Sequence, residues 1–270
     1  MNPATVSLEK AKALLALGVN RVSMGVQSWD EDLLKTLGRV HSGPQARRSY
    51  EILREAGVPN VNLDLIFGIP GQTREQWLDS IHQTLALEPD HISAYCLTYE
   101  EDTEFFERFR RGEFAPETER DAAFFETAMD AFEAAGYGQY EISNYAKPNR
   151  ECLHNLGYWR GSDYAGLGPS AVSTRNGWRR KNLADTEAYT RRVLNGQDRF
   201  ETLERLDAES SRLEKLSLGL RTREGISPDL LDATKLENLV AHGFARLSND
   251  RVTLSREGRL LADQIATELI

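Results

Sequence analysis

The run from Val61 to Trp77, VNLDLIFGIPGQTREQW, limits the fold more than any other stretch of the chain. Alternate side chains of an extended segment face opposite ways, so Val61, Leu63, Leu65 and Phe67 make one oily face while Asn62, Asp64 and Ile66 make the other. The turn Gly68-Ile-Pro-Gly71 follows at once. Thr73-x-x-Gln76 then has the pattern of a capping box, and the helix it starts returns Trp77, Ile81 and Leu85 to the sheet. The stretch is half of a strand-helix-strand unit with a carboxylate on the second face of its strand.

Parallel strands joined by helices are normally covered on both faces and read as continuous apolar runs, so an alternating one needs a reason. A barrel-like sheet supplies it, with an outer face on helices and an inner face around a packed core or a ligand. An earlier strand repeats the parity: Val22, Met24 and Val26 are oily, and Arg21, Ser23, Gly25 and Gln27 lie opposite. Two readings stay open for Gln27 and Asp64. Either both enter a shared interior, or each caps a neighbouring loop at a strand end.

The remaining order is built from the same signals. Leu8 to Leu17 reads as a helix stopped by Gly18, and Arg21 to Gln27 as a strand. Ser28-x-x-Glu31 is expected to cap a helix with Leu33, Leu34 and Leu37 inside and Gly38 at its end. Arg39 and His41 fall in a short loop before a helix that Pro44 opens and Gly57 closes. A third strand runs from His91 to Leu97. Three such strands leave the Arg21 strand as an apolar edge, to be covered by later segments, by chain preceding Met1 in the complete molecule, which this reading favours, or by a second copy in a homodimer.

Residues 101 to 136 have helical spacing, with Phe105, Phe106 and Phe109 and then Ala122, Phe125, Met129 and Phe132 as a core stripe. Tyr137 to Tyr145 is a short extended arm. Lys147 to Gly177 has no clear period, and long loops of this kind are usually functional. From Leu203 on, two amphipathic helices, a turn at Ser248-Asn-Asp and a last helix from Arg256 suggest a small winged-helix-like domain. Its 10 basic and 12 acidic residues make it a packing or lid domain rather than a reader of DNA. The expected domains are 1–200 and 201–270.

A formal net charge of -9 argues against a general binder of nucleic acid, whose phosphates reward positive surface. No apolar run reaches bilayer length and the N-terminus lacks a signal-peptide pattern, which places the chain in the cytoplasm. Of the two cysteines, Cys96 is expected in the core of a strand and Cys152 in a polar segment. Two isolated thiols form neither a zinc site nor an iron-sulfur site, so no metal ligand is expected in this chain.

Taken together, GVQSWDEDLLKTLGRVH at 25–41, NLDLIFGIPGQT at 62–73, HISAYCLT at 91–98, YEISNYA at 140–146 and HNLGYW at 154–159 resemble the radical S-adenosylmethionine (SAM) proteins related to oxygen-independent coproporphyrinogen III oxidase. The HNxxYW element resembles the heme chaperone HemW branch of that group. The resemblance implies an α/β fold, the C-terminal part of an incomplete (β/α)6 barrel with SAM at its C-terminal strand ends, followed by the winged-helix-like α+β domain. It also implies a [4Fe-4S] cluster in the complete protein. Carried over residue by residue, Gln27 and Asp64 correspond to polar contacts to SAM's ribose and methionyl part, and Arg39 to the partner of its carboxylate. Thr98 corresponds to a main-chain contact near the adenine. Arg39 alone reads equally well as a cation at a helix C-terminus.

The same resemblance makes His154 and Tyr158 candidate heme contacts, since both residue types are known axial ligands. The residues by themselves also suit a hydrogen-bonded surface loop. Arg175 to Lys181 reads as a solvated basic loop, the alternative being a cradle for porphyrin propionates. Two departures from the family pattern stand out. The C-x-x-x-C-x-x-C motif is absent from this chain, so it holds no cluster and is expected to be inactive alone. The Gly-Leu-Gly at 166–168 is followed by Pro-Ser-Ala-Val172, where the family usually has Ala-His-Ser. No catalytic residue is assignable. Three functions follow: a heme chaperone serving a hemoprotein client, a coproporphyrinogen III oxidase acting in porphyrin synthesis, or a binding remnant without catalysis.

Overall fold

The alternation expected for the Val61 strand is realised on three adjacent parallel strands of a computed structural model, which describes residues 1–101, 103–115 and 117–270. The chain forms two compact units, Met1–Glu151 and Cys152–Ile270. In the first, α1 (Leu8–Ala16) leads to β1 (Val22–Gln27), and α2 (Glu31–Thr36) and α3 (Gly43–Glu55) lead to β2 (Val61–Phe67). Helix α4 (Arg74–Leu85) then leads to β3 (His91–Cys96), and α5 (Glu104–Arg110) and α6 (Thr118–Ala134) precede the hairpin β4 (Gly138–Glu141) and β5 (Asn144–Ala146). The sheet order is β1-β2-β3-β5-β4, with β5 antiparallel to both β3 and β4.

One face of this sheet is a core. Val61, Leu63, Leu65 and Phe67 are at most 2 % exposed, and Val22, Met24, Val26, Ile92 and Ala94 are buried with them. Phe67 lies 5.4 Å from Trp77 of α4 and 6.2 Å from Phe125 of α6, ring centre to ring centre. The capping box forms as expected: Thr73 Oγ1 accepts from the Gln76 N–H, and the Gln76 side chain accepts from the Thr73 N–H. At the opposite end of the strands, Asp90 Oδ2 accepts from Arg54 of α3 at 2.7 Å and from the Val61 N–H at 2.9 Å, joining the start of β2 to its covering helix.

Several local expectations are corrected. Helix α2 is capped by Asp30, whose carboxylate accepts from the Asp32 and Leu33 N–H groups, while Ser28 Oγ accepts from Asp30 N–H. Asp30 adjoins the first turn, so it reaches two free amides where Ser28 reaches none. The helical span at 101–136 is two helices; Asp102 and Pro116 within it lie outside the described residues. Only α6 is a core helix, burying Phe124, Phe125, Ala128, Met129 and Phe132, whereas Phe109 of α5 stacks on Tyr99 at 5.0 Å. The cysteines are reversed: Cys96, at the end of β3, is exposed, and Cys152 is buried. The β1 edge is partly covered by the chain's first residue, whose amino group donates to the Ser23 carbonyl and whose carbonyl accepts from Gly25 N–H at 3.0 Å.

In the second unit, α7 (Leu153–Trp159) is followed by β6 (Val172–Arg175), β7 (Trp178–Asn182), α8 (Thr186–Leu194) and β8 (Phe200–Arg205), and the three strands form an antiparallel sheet in that order. Next come α9 (Ala208–Leu220), α10 (Ala233–Ala241), the hairpin β9 (Ala245–Ser248) and β10 (Arg251–Leu254), α11 (Arg256–Leu260) and α12 (Ala262–Leu269). Leu216, Leu220, Ile226, Val252, Leu254 and Ile265 are buried there, and Ile226 bridges to Val252 beside the hairpin. Lys235 of α10 donates to the Glu268 and Leu269 carbonyls, so it caps a helix end and does not project as a phosphate contact. A division after residue 200 would cut β8 from its partner β7; the compact units instead divide between residues 151 and 152.

Candidate functional site

The second face of the five-stranded sheet is polar from edge to edge. Gly25, Asp64, Ser93, Asn144 and Glu141 are successive register partners across β1, β2, β3, β5 and β4, and Ser23, Asn62 and His91 form the adjoining row. Side chains at matched positions share a face, so their polar ends meet. Ser23 Oγ donates to Asp64 Oδ2 at 2.7 Å, and Asn62 Nδ2 donates to Asp64 Oδ1 at 2.6 Å and to Ser93 Oγ at 3.0 Å. Ser93 Oγ donates to Asn144 Oδ1 at 2.7 Å, and Asn144 Nδ2 donates to Glu141. Asp64 is thus held by two donors, and each carboxylate oxygen keeps a lone pair for a further one.

Beside this row, His91 is fully buried. Asn62 uses its amide nitrogen as donor, so its oxygen accepts from His91 Nδ1–H at 2.6 Å, and the free Nε2 accepts from the Tyr140 hydroxyl at 2.8 Å. Burial, with a smaller contribution from the Arg21 charge, holds the imidazole down to about 3, so it is neutral at physiological pH. Glu141 is shifted the other way: burial raises its carboxyl above the usual range, against the Ser143 N–H and Asn144 bonds that favour the anion. Sequence reasoning missed Asn62 as a hub, along with Ser93, Asn144 and Glu141. The available signal was the alternation within HIS at 91–93 and the polar positions of YEISNYA, readable only once β3 and the hairpin are known to pair.

The structure brings Gln27 to the same face as Asp64. Gln27 ends β1 with a φ of 69°, at a shift in the β1–β2 register. A Cβ added at Gly25 would lie 2.6 Å from Gln27 Nε2, so the amide is folded back over Gly25, the register partner of Asp64. Any larger residue at 25 would occupy the place of the amide. Arg39 and Thr98 stand outside this pair. Arg39 is exposed in the loop after α2 and has no hydrogen bond or ion pair from its side chain among the described residues. Thr98 is exposed just beyond β3, and its hydroxyl donates to Glu100 at 3.1 Å.

In the second unit, HNLGYW is helical, which corrects the expectation of a loop without period. On α7, His154 and Tyr158 are one turn apart and so share a face. Their ring centres are 4.8 Å apart at 85°, and Tyr158 meets Tyr164 at 4.7 Å. Leu156 points inward and is buried, while His154 and Tyr158 are exposed. The basic stretch at 175–181 is not a loop either. Arg175 ends β6, residues 178–181 belong to β7, and Asn176 and Gly177 make the hairpin turn between them with φ of 51° and 76°, the handedness that two-residue connections need.

Among the described residues no group of three or more His, Cys, Asp or Glu side chains is arranged to hold a metal ion. A [4Fe-4S] cluster is held by about four thiolates, a set that Cys96 and Cys152 do not make. No helix of the described residues is long and apolar enough to cross a membrane.

A sequence model of the radical SAM superfamily matches residues 1–84. Coproporphyrinogen III oxidase (HemN) from Escherichia coli, a radical SAM enzyme, is similar in fold, with a TM-score of 0.82 at 20% identity over 99% of this chain and 68% of that one. The fold is that of a radical SAM protein. Heme chaperone HemW of Bacillus subtilis is 36% identical over 276 residues, covering 98% of this chain and 73% of that protein, and HemW of Mycobacterium tuberculosis is 35% identical over 274 residues, covering 100% and 70%. HemW of Lactococcus lactis is 35% identical over 253 residues and the match spans 65% of its length. The chain belongs to the heme chaperone HemW family.

Proposed function

We propose that this chain is the SAM-binding and heme-binding portion of a cytoplasmic heme chaperone that passes heme to a hemoprotein client. The observation that carries the heme assignment is the pairing of His154 and Tyr158 on the exposed face of α7. An imidazole and a phenol one helical turn apart present two groups able to ligate iron, and Leu156 anchors the helix by its opposite side. Family membership supports the same reading.

For SAM, the polar strand face suits the ligand's hydroxyl, ammonium and carboxylate groups. Gln27 and Asp64 would take the ribose and methionyl polar atoms, Arg39 the carboxylate, and the main chain at Thr98 the adenine. What these residues contribute is orientation: Ser23 and Asn62 fix the Asp64 carboxylate, and Arg39, exposed and without a side-chain partner among the described residues, offers a fork of donors. A homodimer is one way of covering the β1 edge.

Heme titration tests the central claim. The wild-type chain is expected to develop a shifted Soret band, and His154→Ala to bind at least about tenfold more weakly, as loss of an axial ligand implies. No Soret change on adding heme, or equal affinity in the variant, would remove this site from the chaperone reading.

A further inference from the structure

The backbone that carries Gln27 is held in an uncommon shape. The Ser28 N–H donates to the Val26 carbonyl at 2.9 Å, closing a three-residue turn about Gln27, whose φ is 69°. Turns of this kind with positive φ at a residue bearing a side chain are rare and strained, and they persist where the surroundings hold them. The register of β1 on β2 shifts at the same point, so regular pairing does not fix the turn.

His41 fills that role by geometry. Its ring is 3 % exposed, and Nε2 lies 3.0 Å from the Val26 carbonyl. A carbonyl only accepts, so Nε2 carries the proton and donates it. The ring's Nδ1 is buried without a hydrogen-bond partner, which leaves Val26 as the one polar group the ring serves among the described residues. The loop that presents the ring is itself pinned. Ser42 caps α3, and Gly43 N–H donates to Glu31 Oε1 at 2.9 Å.

We propose that His41 is a positioning residue: its bond to the Val26 carbonyl locks the left-handed turn, which keeps the Gln27 amide over Gly25 and on the face of Asp64. The proposal rests on the reading of Gln27 as a SAM contact. It makes Gly25, Gln27 and His41 one device, in which the glycine supplies room, the turn supplies direction and the imidazole supplies the lock.

Calorimetric titration of the whole chain with SAM tests it through a double-mutant cycle. Gln27→Ala and His41→Phe are each expected to weaken binding by about tenfold, and the double variant by no more than either alone, because both remove the same contact. His41→Gln, which can still donate to Val26, is expected to recover most of the affinity. Gly25→Ala, whose methyl displaces the amide, is expected to match Gln27→Ala with an unchanged melting temperature. Wild-type affinity in His41→Phe, or losses that multiply in the double variant, overturns the positioning role while leaving the SAM reading in place. Wild-type affinity in Gln27→Ala, or no binding by the wild-type chain, overturns both. If His41→Phe fails to fold, Gly25→Ala decides, and wild-type affinity there overturns the proposal.

Discussion

His91 shows how a single buried ring can set the acid limit of this fold. Its folded value is about 3 against 6.5 for the free ring, so between these the unfolded chain takes up a proton that the fold refuses. Stability is then fully present above pH 6.5 and falls as the pH drops toward 3, by about 1.4 kcal/mol per pH unit from this group. Glu141 acts in the opposite sense: its raised carboxyl value means the fold takes up the proton first, and its contribution is lost as the pH rises through that value. Denaturant unfolding of the wild type and of His91→Gln between pH 4 and 8 separates the two. The variant, which does not titrate at this position, is expected to show a flatter slope below pH 6.5; parallel curves would refute the assignment to His91.

Helix α4 illustrates which parts of an element carry its stability. Trp77 is fully buried between Phe67 and Phe124 and donates from Nε1 to the Phe124 carbonyl at 2.9 Å, whereas Thr73 only caps an exposed helix start. Trp77→Ala is expected to cost about 3–5 kcal/mol and Thr73→Ala about 1 kcal/mol, measured by chemical denaturation. Both positions were legible in the sequence, because a capping box and a helical stripe are local patterns. The strand faces were legible for the same reason, since alternation is a local pattern too. What could not be read was whatever depends on partners far along the chain. Asn62 is a hub because β1 and β3 bring Ser23, Ser93 and His91 beside it, and the β4–β5 hairpin extends the chain of bonds from Ser93 to Asn144. Cys96 was misjudged because the apolar spacing of its strand says nothing of what covers the strand's end. The α7 helix was hidden by Gly157 and three aromatic-type side chains, which blur helical spacing. The Asn176-Gly177 turn was a local signal that sequence reading passed over among the charges around it.

At the scale of the molecule, each compact unit has its own buried apolar set, and the two candidate sites fall one in each. Residues 152–270 expressed alone are expected to unfold cooperatively on heating and to bind heme as the whole chain does; a non-cooperative melt, or binding that requires residues 1–151, would contradict the placement of the heme contacts on α7. The chain spans about two thirds to three quarters of the length of the HemW relatives it matches, so activity of the whole protein is a separate question from binding by these units. One practical matter follows from Met1, whose carbonyl accepts from the Gly25 N–H of β1. A fluorophore placed at that residue would crowd the margin of the strand that carries Gln27, whereas one at the exposed Leu17, just after α1, leaves that bond in place.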